Sequence, residues 1–547
     1  MASQSRSPLA SGRLRLLLWG LIVANVVLVW VLPVLPQQDL PQHLAYATIL
    51  RDHAVPGLPF GEMYAPIDEF QMYFSSYYLL RWLSFGASIE VGIRVLMSLY
   101  VVGLLSAFAF LVRVATPPEQ GPSWTVLLAV PFVWNPPVVM GFLAYYCGLP
   151  LLLAAVAATL GWLDERAGPM RWMAIIGSIG CALLHPFLGA TLFACLLGCA
   201  VFHPARKRAR LALVPALAAL AVVGTGFVIG NSGLGEASSL DLADAWRRGF
   251  GVEFISIVLG FEWSGTTAKI NYSLWSVLGP FTLPTLGIVA LVVVAVAVPA
   301  ARVIRAHRQQ PLLTPGGRTL LRVAGTMLLL GWLVPFGMHK PTELTFIDLR
   351  LLSVGWMLTA CCIPAVTFSD RFVRRATVVA CAAFFVHLAY RLDRAASEAS
   401  ALFGLLDSVE PGRVLMSLML NNDSPHLAKQ FRVSHFLPMY YTVRQHGIAT
   451  QFWARYTHHL PVDYAPGKRP RHTEDWKPEA FVVADLSASD YVVVRDPSRR
   501  RDPAYRVKAA RRIHERLKGV VEEIGRDGLW VLYRVDADAV GTRGSKP

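Results

Sequence analysis

Apolar runs of about twenty residues recur along this 547-residue chain, near positions 14–35, 91–112, 124–142, 146–163, 171–187, 189–203, 211–229, 274–298, 320–338, 349–368 and 376–392. As a helix, a run of that length crosses the roughly 30 Å hydrocarbon core of a bilayer. With no water in that core, a spanning segment must pair its backbone groups internally, and helices do so. The fold class expected is an α-helical polytopic membrane protein of about 11 spans. Composition agrees: 54% of residues are hydrophobic and 16% charged, with a mean hydropathy of +0.46. A soluble domain carries about a quarter charged residues.

The net charge of +15 does not point to nucleic acid, because the cations sit in short loops between spans. Arg206, Lys207, Arg208 and Arg210 form one cluster, Arg302, Arg305 and Arg308 a second, and Arg371, Arg374 and Arg375 a third. Positive loops mark the cytoplasmic side. That rule places the N-terminus in the cytoplasm and turns the loops at 36–70, 231–272 and 339–348 outward. Arg13 and Arg15 precede a first run too long for a signal-peptide core, with no small-residue cleavage site before Asp39, so it reads as a retained span. All seven cysteines lie in apolar segments, as buried thiols would, without the spacing of a disulfide framework or a metal site.

Residues 1–392 read as the transmembrane domain and 393–547 as a small soluble α/β domain on the outer side. Within the second, 414–418, 480–484 and 491–494 have the look of short buried strands. Ala504 to Leu517 has the spacing of an amphipathic helix. Gly519 to Ile524 and Leu529 to Val535 flank Asp527-Gly528, a hairpin signal. Phe70 to Phe85 is tyrosine-rich and short, and suits a helix lying in the membrane interface, with a short true span as the competing reading. His185-Pro186 breaks the apolar stretch 171–203.

Asp39 stands where the first apolar run ends. It precedes Pro41 and a periodic stretch, so it fits a helix N-cap. His43 follows four residues later on the same helical face, and an Asp–His pair at the outer interface also fits deprotonation of a hydroxyl. Asp68-Glu69 is a second acidic point in that loop, as a solvated edge or as part of a site. His185, ionisable within an apolar segment, is either a packing residue or functional. Arg350 lies at the outer end of a span, where cations are disfavoured. It either pairs with Asp348 or holds a phosphate through paired donors.

Four stretches carry a family resemblance: Pro36 to Tyr46 (PQQDLPQHLAY), Asn135 to Leu153 (NPPVVMGFLAYYCGLPLLL), Leu183 to Phe187 (LLHPF) and Thr345 to Leu352 (TFIDLRLL). With the layout of spans they make the chain resemble the GT-C class of integral-membrane glycosyltransferases. The resemblance covers most of the chain by layout and these stretches by motif. It implies Asp39 as catalytic base, with His43, Asp68, Glu69, His185 and Arg350 around the substrate. It also implies an inner-membrane hexosyl- or pentosyltransferase that inverts, draws on a polyprenyl-phosphate sugar, and delivers to a glycan, lipid or protein. A glycosidase needs a second carboxylate to protonate a poor leaving group. A phosphate leaves as a stabilised anion, so one base suffices.

Many members of that class carry two adjacent acids in the first outward loop, and here Asp39 stands alone. Use of a divalent metal is therefore left open. Two other readings remain: a lipid or polymer transporter or flippase, and a catalytically silent member of the class in which Asp39 only caps a helix. A transporter is expected to show two related halves with broken spans, and no such halves are visible in the sequence.

Overall fold

The computed structural model describes residues 8–67, 74–120, 123–166, 169–232, 261–262, 269–270, 296–305, 312–334, 337–338, 346–427, 432–452, 461–470, 477–498 and 503–544. Asp68 and Glu69 lie outside these residues, as does most of the expected span 274–298.

The first span is helix α1 (Pro8–Val31). It stops ahead of Pro33, and its last carbonyls are taken up by a neighbour. The Arg94 guanidinium donates to the carbonyls of Val29 (2.5 Å) and Leu32 (2.7 Å), the preferred use of a cation at a helix C-terminus. Helix α2 (Leu40–Asp52) follows, with Pro41 in its first turn. The rest of the first loop holds strand β1 (Tyr64–Pro66) and helix α3 (Ser75–Leu83). At nine residues, α3 reaches about 14 Å, too short to cross a bilayer. It turns Tyr77 inward, 3% exposed, and leaves Tyr78 51% exposed.

Helix α4 (Ile89–Ala115) is the second long span. The expected span at 124–142 is not one helix: a 3₁₀ turn (Trp124–Ala129) and two single turns (Val130–Val133, Pro136–Val139) replace it. Pro131, Pro136 and Pro137 deny the backbone donors a helix needs. Such broken backbone is tolerated at membrane depth only when protein surrounds it, and residues 125–141 are all buried.

Helix α5 (Leu143–Leu163) is continuous. Helices α6 (Met170–Leu184) and α7 (Pro186–Phe202) are separate, with the break at His185. Helices α8 (Leu213–Ser232), α9 (Pro315–Leu333), α10 (Ile347–Cys361) and α11 (Arg371–Leu406) complete the described bundle. Five described helical stretches are long and apolar enough to cross a membrane by length and composition: four within α1, α4, α5 and α11, and one over Arg206–Thr225 that runs into α8. Six of the cysteines are buried, Cys147 is half-buried, and all seven are free thiols.

Side-chain contacts sort the helix ends into two groups. Gly316 N–H donates to the Asp164 carboxylate (3.2 Å), which also meets His203 (3.2 Å). Thr314 N–H donates to the Ala115 carbonyl (3.1 Å), and the Arg374 guanidinium lies 5.9 Å from the Trp124 ring. The clusters Arg206–Arg210 and Arg371–Arg375 share this end. Asp39, His185, Arg350 and the C-terminal domain share the other.

Helix α11 runs 36 residues without interruption, so the expected boundary at 392/393 falls inside it. Its buried stripe Phe384, Leu388, Leu392, Ala395, Ala399 and Leu402 keeps helical spacing, which carries the helix from the bundle into the C-terminal domain. That domain holds strands β2 (Val414–Met419), β3 (Ile448–Ala449), β4 (Val462–Tyr464), β5 (Tyr491–Arg495), β6 (Val521–Asp527) and β7 (Trp530–Val535), and helix α12 (Ala504–Leu517). Five strands form one sheet in the order β3-β2-β5-β7-β6, parallel across β3-β2-β5 and antiparallel across β5-β7-β6.

The β6–β7 hairpin turns at Asp527-Gly528, where Gly528 has φ 59°, and α12 has the predicted bounds. The strand expected at 480–484 is absent, replaced by 3₁₀ turns at Pro478–Ala480 and Val483–Ala488. The Asp485 carboxylate accepts from Val482 N–H (3.1 Å), a local bond that competes with a sheet ladder.

The C-terminal domain is joined to the first loop. Strand β4 pairs antiparallel with β1. The Gln42 amide donates to the Gln451 carbonyl (2.6 Å), and Arg444 pairs with Glu90 (2.7 Å).

Candidate active site

Asp39 lies between α1 and α2, in a segment held by backbone bonds to the broken stretch. Gln38 N–H donates to the Val139 carbonyl (2.9 Å) and Asp39 N–H to the Met140 carbonyl (3.0 Å). The stretch is shaped to receive them. Asn135 caps the Pro136–Val139 turn by accepting from Val138 N–H (3.2 Å), and Gly141 reverses the chain at φ 80°. A Cβ at Gly141 would stand 2.8 Å from Leu40 N and 2.9 Å from Asp39 N. Only glycine meets both demands, the left-handed backbone and the close approach.

Asp39 holds the N-cap position of α2, yet its side chain makes no capping bond. Its backbone carbonyl serves the helix, accepting from Gln42 and His43 N–H (3.1 and 3.2 Å). The carboxylate instead accepts from the Gln38 amide (3.0 Å) and is 4% exposed. Burial pushes its carboxyl up to about 7, against the Gln38 hydrogen bond and the charge of Arg350, which both pull it down. Burial disfavours the charged form of an acid. A carboxylate so poised is half ionised near neutral pH, the condition that suits a general base.

His43 and Asp39 are neighbours, but no hydrogen bond joins their side chains. The imidazole lies between Tyr77, whose hydroxyl is 2.7 Å from Nδ1, and the backbone of Gly141. Burial lowers His43 to about 4, with the Gly141 bond partly opposing, so the ring is neutral at physiological pH. Its place is that of a brace for the Gly141 turn and for Tyr77.

Arg350, 6% exposed, begins helix α10. Its guanidinium carbon lies 4.3 Å from the Phe142 ring centroid and 5.7 Å from each of the Tyr145 and Phe187 rings. The Tyr145 hydroxyl donates to the Arg350 carbonyl (2.9 Å), and its ring meets His185 edge-on at 5.8 Å. Cation–π contact of this kind contributes about 0.5–2 kcal/mol. It holds the guanidinium plane in a fixed orientation. His185 caps α7, accepting from Leu188 N–H (3.4 Å). The Asp348 carboxylate accepts from Leu349 N–H (2.8 Å).

Of the residues singled out from the sequence, Asp39 and His43 share one cluster, while Arg350 and His185 share a second. Gly141 and Phe142, adjacent in sequence, join the two. Sequence reasoning missed Gln38, Gly141, Phe142 and Tyr77. The stretch Asn135 to Leu153 carries part of the family resemblance, and a glycine before an aromatic after two prolines is the signal within it.

Lys269 was missed as well. It is 5% exposed and donates to the Trp332 and Val334 carbonyls (2.6 Å each) at the end of α9. Among the described residues no group of three His, Cys, Asp or Glu side chains is placed to hold a metal ion.

The C-terminal domain reaches this site directly. The Gln38 side-chain oxygen accepts from Arg432 N–H (3.0 Å), so one amide joins that domain to the Asp39 carboxylate. Behind it, Ser417 donates to the Gln451 side chain (2.8 Å), whose backbone carbonyl takes the Gln42 amide.

No family model matches the chain, and no curated protein sequence matches it. Among solved structures, it is similar to ArnT from Cupriavidus metallidurans, in a crystal structure bound to undecaprenyl phosphate. That similarity spans 94% of this chain and 97% of the other, at 14% identity and a TM-score of 0.38.

Proposed function

We propose that this chain is a membrane glycosyltransferase of the GT-C type, moving a sugar from a lipid-phosphate carrier to an acceptor hydroxyl at the outer face of the inner membrane. One observation carries the reading: the Asp39 carboxylate is buried, spared from helix capping, held by an amide, and lies under the field of Arg350. The positive-inside rule turns the arginine clusters toward the cytoplasm and this site outward, where a polyprenyl-phosphate sugar diffusing in the bilayer presents its head.

The reaction is a displacement with inversion. Asp39 takes the proton of the acceptor hydroxyl as its oxygen bonds to the anomeric carbon. The bond from that carbon to the phosphate oxygen breaks, and its electron pair leaves with the phosphate. Arg350, held flat by Phe142, Tyr145 and Phe187, supplies positive charge to the departing phosphate, where preorganised charge lowers the barrier most. The acceptor is a glycan, lipid or protein hydroxyl. Asp68 and Glu69, in the same loop, are assigned to the substrate side.

The test is consumption of a polyprenyl-phosphate sugar by the purified protein in liposomes, followed by mass spectrometry. Transfer converts the donor to free polyprenyl phosphate in step with a glycosylated acceptor. A transporter would move the donor across the bilayer and leave it intact, and that result would overturn the reading.

A further inference from the structure

The C-terminal domain contains a cavity of about 460 Å³ at the carboxyl end of β2, walled by Met419, Leu420, Asn422 and Asp423 on one side and by α12 on the other. Its place follows from topology. Strand β2 has parallel neighbours on both sides, β3 and β5, so connections diverge at its carboxyl end. In sheets with parallel strands, such switch points are where ligands bind.

Helix α12 presents Tyr505, Lys508, Ala509, Arg512, Ile513 and Arg516 to this space. That spacing is one face of a helix. With Arg432 and Arg506, the cavity wall carries five cations against two carboxylates, Asp423 and Glu479. Arg506 pairs with Asp423 (3.4 Å), and Arg516 donates to the Glu479 carbonyl (3.3 Å). Both contacts fix guanidinium groups at the rim. Arg432 is shared between cavity and active site, since its N–H is bonded to the same Gln38 that holds Asp39.

We infer that this cavity binds the acceptor, and that the acceptor is an anionic glycan bearing phosphate or carboxylate groups. Guanidinium groups recognise both anions through paired donors. Tyr505, an exposed ring at the mouth, offers a sugar an apolar face. The inference rests on the transferase reading for the word acceptor, but its binding chemistry is independent of Asp39.

The experiment is calorimetric titration of the full-length protein in detergent with three probes: trigalacturonate, a phosphorylated maltotriose and neutral maltotriose. The two anionic probes are expected to bind at least ten-fold more tightly than the neutral one, and raised salt should erode that preference. The ratio of the two anionic affinities tells carboxylate from phosphate. Lys508 and Arg512 are exposed, so the double variant Lys508→Glu, Arg512→Glu is expected to fold and to lose at least ten-fold in anionic binding.

Equal binding of neutral and anionic probes, or unchanged binding in that variant, would overturn the inference. If anionic probes bind while no lipid-phosphate sugar is consumed, the transferase reading fails and the cavity stands. If transfer proceeds and the double variant leaves the acceptor KM unchanged, the cavity assignment fails and the transferase reading stands.

Discussion

Gly141 and Asp39 meet backbone to backbone: a Cβ on Gly141 would stand 2.9 Å from the Asp39 nitrogen, in a turn whose φ of 80° already excludes most side chains. Gly141→Ala is therefore expected to cost about 1–3 kcal/mol from backbone conformation alone, and to displace the Asp39 segment. Thermal unfolding should show a lowered Tm, and transfer should fall far more than Tm does. A Gly141→Ala protein with wild-type rate would show that the Asp39 segment need not be held there.

The pH dependence of transfer follows from the burial of Asp39. Its carboxyl is raised to about 7, and a base acts only when ionised. The rate at low substrate is expected to be small well below pH 7, to reach half its plateau near 7, and to level off above. A flat profile from pH 5 to 8 would show that no group with that titration controls the step.

Arg350 and Gln38 both pull the Asp39 carboxyl down, so removing either should move the acid limb upward. Arg350→Ala should also weaken donor binding, about ten-fold or more, by removing the cation placed for phosphate. Arg350→Lys restores charge without the planar contact to Phe142 and is expected to recover only part of it. Gln38→Ala should shift the limb with little effect on donor affinity. Unchanged donor affinity in Arg350→Ala would reduce that residue to a structural partner.

Docking of the C-terminal domain involves Asp52, whose carboxylate meets Arg51 (2.7 Å) and His446 (3.2 Å). Burial pushes its carboxyl up, but hydrogen bonds from His446 and Arg51 outweigh it and hold it at about 2. A depressed folded-state value means the contribution is complete above the ordinary carboxylate range and fades as pH falls towards 2. Asp52→Asn is expected to lower Tm at pH 7, with the gap from wild type narrowing under acid. A constant gap down to pH 3 would show that the Asp52 charge does not set the gap.

The parts of this fold legible in the sequence are those written in local periodicity. The long apolar runs became α1, α4, α5 and α8, and Ala504 to Leu517 became a helix with those bounds. Asp39 is legible as a carboxylate set directly at the end of the first span. What stayed hidden depends on partners distant in sequence. Helix α11 continues past 392, and Glu398 within it meets Arg495, fully buried and 97 residues away (2.6 Å). No local apolar window records that pairing.

The run 124–142 has the hydropathy of a span, but Pro131, Pro136 and Pro137 within it are incompatible with one continuous helix. Pro41 gives Asp39 the local signature of a capping side chain. The Gln38 amide, itself bonded to Arg432 394 residues on, takes the carboxylate instead.

The most direct measurement is the transfer rate of Asp39→Asn in liposomes with a polyprenyl-phosphate sugar donor, alongside its Tm and donor affinity. The rate is expected to fall by about 10²–10⁴-fold, the usual contribution of a general base, with Tm and donor affinity close to wild type. A correctly folded Asp39→Asn protein that transfers sugar at the wild-type rate would contradict that role for Asp39.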